Sequence, residues 1–202
     1  MSFNSQAGQD RFAFHALEIP SRISPGTFLD IGSNHPIIEN NSYLFETLGW
    51  KGICVEIQGL KFETEYAKKR PNTVLLSADA SLLDWDALLM QHAWLANGVD
   101  YLSLDVDNAT LPTLRRMPLD KIRFKVLTVE HDAYRIGGAV REEMRKIFNA
   151  QGYKLICSDV QVMLATPVPF EDWWVDPQRV NMNVVNKFQC ANRLWKSIFG
   201  CS

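Results

Sequence analysis

Short apolar runs alternate with stretches of helical periodicity along most of the chain. Thr27–Ile31, Gly52–Ile57, Thr73–Ser77, Tyr101–Val106, Lys125–Glu130 and Tyr153–Cys157 are of strand length and mostly apolar on both faces. Parallel strands buried beneath helices have that pattern. Between them the spacing predicts helices over Asn41–Leu48, Leu60–Lys69, Leu83–His92, Leu111–Met117 and Ala139–Ala150. Asn41 and Ser42 suit a helix start, and Gly49 a stop. Lys68, Lys69 and Arg70 followed by Pro71 make a C-terminal signature, and Gly152 closes the last helix. Repeated strand–helix alternation predicts an α/β fold: a mostly parallel sheet with right-handed crossovers and helices on both faces. Val160–Ala165 follows the sixth run after only Ser158 and Asp159, which predicts a final antiparallel strand. Pro167, Pro169, Pro177 and the pair Trp173–Trp174 predict a structured loop. Lys187–Phe199 places Phe188, Ala191, Leu194, Trp195 and Ile198 on one side and predicts an amphipathic helix.

The chain has 202 residues, enough for one domain with a sizeable core. We divide it into a body, an N-terminal lid segment (1–25) and a C-terminal loop and helix (166–202). Hydrophobic residues make up 47% and charged residues 22%, which argues against disorder. Twenty-one Lys and Arg against 23 Asp and Glu leave a net charge of −2, without the basic excess of a nucleic-acid binder. Cys54, Cys157, Cys190 and Cys201 show no CxxC or zinc spacing and read as reduced thiols. Phe199 stands where a prenylation box needs cysteine. The polar opening Met1–Asp10 has no apolar signal core, and no apolar run approaches the ~18–20 residues that cross a bilayer. A cytoplasmic protein without a membrane span is the expectation.

Ligands of open α/β sheets bind at the carboxyl ends of the strands. The first strand ends in Asp30-Ile-Gly-Ser-Asn34, with one glycine and then His35 and Pro36. GxGxxG is missing, as is GxxxxGK[ST], so neither a dinucleotide nor a P-loop phosphate is expected. The second strand ends at Glu56, where an acid takes ribose hydroxyls, and the third in Ser77-Ala-Asp79, placed to accept an adenine amine. Any one of these acids alone is better explained as a solvated loop carboxylate. Three acids at successive strand ends, with no phosphate cradle, suit a nucleoside carrying positive charge. S-Adenosylmethionine has that chemistry.

Five stretches carry a family resemblance: Ser5-Gln-Ala-Gly-Gln-Asp10, Gly26-Thr-Phe-Leu-Asp-Ile-Gly-Ser-Asn34, Asn41-Ser-Tyr43, Leu48-Gly-Trp-Lys-Gly-Ile-Cys-Val-Glu56 and Tyr101-Leu-Ser-Leu-Asp-Val-Asp107. From about Ser5 to Asp159 the chain resembles the FkbM family of S-adenosylmethionine-dependent methyltransferases. The resemblance implies the class I methyltransferase fold, a seven-stranded sheet whose last hairpin strand is antiparallel. It also implies O-methylation of a sugar or small natural-product hydroxyl, with S-adenosylhomocysteine as product. By matching position, Asp30, Gly32, Ser33 and Asn34 would line the methionine end. Glu56 with Ile57 would hold the ribose, Asp79 with Ala80 the adenine, and Asp105 would face the methyl group. Gln6, Gln9 and Asp10 would fold over the pocket mouth or cap a helix. The chain departs from the family pattern at Asn34-His35-Pro36 and at Asn108-Ala109-Thr110.

Methyl transfer to a hydroxyl needs an acceptor held at near-attack distance and a base for its proton. Asp105 and Asp107, then Glu130, His131 and Asp132, lie at two strand ends. His131, titrating near neutrality, is the expected base, with Asp105 and Glu130 beside it. Because side chains alternate, Asp105 and Asp107 share one face and Glu130 and Asp132 share one. Such a carboxylate set is compatible with a divalent metal, although no metal is the primary expectation. Tyr134, Trp173 and Trp174 are expected as an acceptor wall or, alternatively, a hydrophobic plug. Asp107 and Gln9 are expected to contact the acceptor; Arg135 and Arg141 would meet an anionic one or stay solvated. The competing reading is a non-catalytic binding module, or a homodimer that packs through the C-terminal helix.

Overall fold

The computed structural model describes residues 2–200. Cys201 lies outside them. Among the described residues eight strands form one sheet: β1 (Thr27–Ile31), β2 (Lys51–Glu56), β3 (Thr73–Ser77), β4 (Val99–Leu104), β5 (Phe124–Glu130), β6 (Lys154–Met163), β7 (Pro167–Val175) and β8 (Cys190–Ala191). Their spatial order is β3-β2-β1-β4-β5-β7-β6-β8. The first five are parallel, and β7 runs antiparallel to both β5 and β6. The strand order reverses between β1 and β4, which leaves a crevice at the carboxyl ends there.

The helices are α1 (Gln9–Ala16), α2 (Tyr43–Thr47), α3 (Gly59–Lys69), α4 (Trp85–Gln91), α5 (Thr110–Arg116), α6 (Ala133–Ile136), α7 (Gly138–Ala150), α8 (Met182–Val185) and α9 (Trp195–Ile198). Alternation along each strand splits the core in two. Leu29, Ile53, Leu102 and Leu127 face Leu88 of α4, Leu114 of α5 and Phe148 of α7. Phe28, Cys54, Tyr101 and Val126 face Phe12 of α1, Phe45 of α2 and Tyr66 of α3. Helices therefore cover both faces, which is why the central strands are apolar throughout. Among the described residues no helix is long and apolar enough to cross a membrane.

Three sequence expectations change. The antiparallel strand is Pro167–Val175, the segment expected as a loop, whereas Val160–Met163 simply continues β6 past its bulges. Pro167 opens β7, a position where a missing N–H costs nothing. The amphipathic helix over Lys187–Phe199 is not formed. One 3₁₀ turn, β8 and the single-turn α9 replace it, and Asn192 takes a left-handed φ of 52° that interrupts any helix. Phe188, Trp195, Ile198 and Phe199 still pack against the core, while Ala191 is exposed. The Phe199 ring lies 5.9 Å from that of Trp173, and Trp195 closes against Gly8.

Candidate functional site

The carboxyl ends of β1 to β5 open into a cavity of about 690 Å³, a size typical of small-ligand sites. Each strand delivers its last acid to that cavity. Asp30 of β1 is 1% exposed and accepts a hydrogen bond from Ser42 Oγ at 2.6 Å. Burial pushes its carboxyl up to about 6 despite that bond. The chain then turns at Gly32, φ 86°, where a β-carbon would overlap the Asp105 carbonyl. Only glycine permits this approach between the β1 and β4 ends. Gly32 and Ser33 donate their N–H groups to Val55, and Ser33 Oγ accepts from the Tyr66 hydroxyl at 2.8 Å.

Glu56, at the end of β2, ties two loops together. One carboxylate oxygen accepts the Asn34 N–H and the other the Gln58 N–H, both at 2.9 Å. Ile57 and Ala80 line the cavity beside it. Asp79 caps the 3₁₀ turn Ala80–Leu82, accepting from Ser81 N and Ser81 Oγ; those bonds hold its carboxyl below the usual range.

Past β4 and β5 the acids crowd. Asp105 is half-buried and its N–H donates to Ile31 at 2.9 Å. It faces Glu130, which is 5% exposed, and burial raises both carboxyls. Glu130 goes furthest upward, because the neighbouring Asp105 carboxylate adds to the burial. At the rim Arg135 Nη1 meets Asp107 at 2.7 Å and Asp132 at 3.1 Å. Tyr134, Phe170 and Gln6 complete that side.

Five sequence candidates lie elsewhere. His131 is buried behind the cavity: the face that presents Glu130 inward sends the next side chain away. Its Nδ1 accepts the Ala133 N–H, and its Nε2 stands 3.6 Å from Asp159 and 3.7 Å from Asp172. Burial lowers its pKa, and Arg141 and Arg145 already occupy those two carboxylates. Trp173 and Trp174 are 0% and 1% exposed and take opposite faces of β7. Trp173 stacks on Phe12 at 4.7 Å, while Trp174 packs on Phe148 at 5.2 Å. They form core, not an acceptor wall. Gln9 is 1% exposed and its side chain accepts the Ala7 N–H at 2.8 Å. Asp10 likewise bonds the backbone of Asn4 and Ser5, which fixes the entry into α1.

One residue group went unread in the sequence. Arg70, 1% exposed, donates to Glu46, Pro36 O, Asn40 Oδ1 and Ser42 Oγ. Asn40 Nδ2 in turn donates to Ser33 O and His35 O. This network shapes the 33–42 loop and, through Ser42, holds Asp30. The run Asn40-Asn41-Ser42 after the first strand was the available signal.

Comparison with solved structures supplies the fold's name. A TehB-like SAM-dependent methyltransferase from Corynebacterium glutamicum superposes with a TM-score of 0.51 at 10% identity, over 85% of this chain and 89% of that one. It has the class I methyltransferase fold. A putative rRNA-methylase from Clostridium thermocellum gives 0.53 at 10% identity, over 87% and 97% of the two chains. Magnesium protoporphyrin IX methyltransferase from Synechocystis, with bound SAM, gives 0.52 at 11%, over 84% and 78%. No family model and no curated protein sequence matches the chain. At these identities the likeness concerns the fold alone.

Proposed function

We propose that the chain is an S-adenosylmethionine-dependent methyltransferase acting on a hydroxyl of a sugar, glycan or small natural-product acceptor. One observation carries the reading. Asp30, Glu56, Asp79 and Asp105 end four adjacent parallel strands around a single cavity. The donor set fits the nucleoside sulfonium: carboxylates for its ribose hydroxyls and cationic groups, and a glycine turn where backbone comes close. S-Adenosylmethionine supplies a methyl group already activated for in-line displacement.

The protein's part is positioning and proton removal. Asp30, Gly32, Ser33 and Asn34 receive the methionine end, Glu56 and Ile57 the ribose, and Asp79 and Ala80 the adenine. Asp105 takes the proton of the acceptor hydroxyl. Burial raises its carboxyl, so it holds a proton more tightly than an ordinary carboxylate does. Asp105 thus replaces His131 in that role, with Glu130 beside it. Tyr134, Asp107 and Arg135 border the acceptor side. The cavity lining carries seven carboxyls (Asp30, Glu39, Glu56, Asp79, Asp105, Asp107, Glu130) against Lys61 and Arg135. That balance disfavours a polyanionic nucleic acid as acceptor. A cytoplasmic location agrees with this reading.

Calorimetry with S-adenosylhomocysteine tests it: one site per chain is expected, and no binding at several hundred micromolar ends it. Binding without methyl transfer across a broad panel of hydroxylated acceptors would leave a non-catalytic module on the same fold.

A further inference from the structure

We propose that Asp107, Glu130 and Asp132 bind one divalent cation of the oxygen-liganding kind, Mg²⁺ or Mn²⁺, at the acceptor side of the cavity. One carboxylate oxygen from each residue lies within 4.8 Å of the other two. The arrangement follows from register. Leu104 pairs with Val129, so the ends of β4 and β5 emerge side by side, and their acids converge past the last pair.

A second observation separates this trio from an ordinary acidic rim. Glu130 Oε2 and both oxygens of Asp132 are shut off from solvent and accept no hydrogen bond, in residues 5% and 1% exposed. Such oxygens are costly to bury, and for Asp132 the Arg135 ion pair at 3.1 Å offsets part of that cost. The cation that stands nearby is Arg135, which reaches Asp107 and Asp132 from a side chain 43% exposed and can turn outward when an ion arrives.

The other acid cluster, His131 with Asp159 and Asp172, is the useful contrast. Arg145 meets Asp172 at 2.8 Å and Asp159 at 2.9 Å, and Arg141 meets Asp159 at 2.6 Å. Its charge is already balanced, whereas Arg135 is one cation against the three acids of the strand-end trio. Three carboxylates and no His or Cys select Mg²⁺ or Mn²⁺ over zinc.

The cation's role, unlike its binding, rests on the methyltransferase reading. An acceptor hydroxyl entering its coordination sphere would lose its proton to Asp105 more readily. Acceptors with adjacent oxygens, such as vicinal diols, would chelate it best.

The test uses the full chain, stripped by chelator and titrated with Mn²⁺ while free Mn²⁺ is followed by electron paramagnetic resonance. One bound ion per chain, displaced by Mg²⁺, is expected. Asp107→Asn, at an exposed position, and Glu130→Gln should each weaken binding about tenfold or more, whereas Glu143→Gln should not. Absence of binding at about 1 mM Mn²⁺, or unchanged affinity in both folded variants, overturns the site. S-Adenosylhomocysteine is titrated into the same samples. Nucleoside binding without Mn²⁺ binding ends the cation proposal alone, and the converse ends the methyltransferase reading alone.

Discussion

Gly32 and Asp105 touch backbone to backbone: a β-carbon on Gly32 would overlap the carbonyl oxygen of Asp105. Gly32 also has φ 86°. Gly32→Ala should therefore cost on the order of 3 kcal/mol or more, read from urea unfolding, and abolish nucleoside binding. Gly152, which ends α7, supplies the control. It has φ 76°, but a β-carbon there would meet no atom within 4 Å, so Gly152→Ala should cost only about 1–2 kcal/mol.

Glu56 holds the Asn34 and Gln58 amides while standing where the ribose is proposed to bind. Removing a charged hydrogen-bond partner costs about 1.5–3 kcal/mol. Glu56→Ala should thus weaken S-adenosylhomocysteine binding about 10- to 100-fold in calorimetry. Retained affinity would move the ribose elsewhere in the cavity.

Arg70 should matter to stability although it lines no cavity. Arg70→Met leaves Glu46 buried without its partner, and such a loss costs about 3–5 kcal/mol. Arg70→Lys should rescue little, because an ammonium cannot span Glu46, Pro36, Asn40 and Ser42 as the guanidinium fork does. Denaturant midpoints of the two variants decide it.

Asp30 predicts a pH signature. Its carboxyl titrates at about 6 in the folded chain against an ordinary 3.8. The native form binds that proton more tightly than the unfolded form, so its contribution to stability falls as pH rises from about 4 to about 6 and then levels. Asp30→Asn removes this dependence, and Asn still accepts from Ser42. Relative to the parent, the variant should gain on the order of 3 kcal/mol across that window, while losing affinity for the cationic ligand. Unfolding curves of both proteins at several pH values measure the difference.

The parallel half of the sheet was readable because its strands are apolar on both faces and end in acids. Thr27–Ile31 and Thr73–Ser77 have the expected bounds, and Asp30, Glu56, Asp79 and Asp105 do meet at one cavity. What failed depended on register and on what packs behind a strand. Pro167 and Pro169 look like breakers, but they occupy the start of β7, and Phe170–Val175 then pair along β5 and β6. His131 looked like a base from its ordinary pKa alone. Whether it faces the cavity or the Arg141–Arg145 pair is set by the side of β5 on which it emerges. The apolar spacing of Lys187–Phe199 matched a helix, yet Phe188, Trp195, Ile198 and Phe199 reach the core from two turns on either side of a short strand.

Trp173 and Trp174 are consecutive, yet each indole belongs to a different layer of the molecule. Pulling β7 out of the sheet would strip each layer of a buried tryptophan in one motion. The two halves are thereby stitched along a single seam, and neither can melt while the other stays whole.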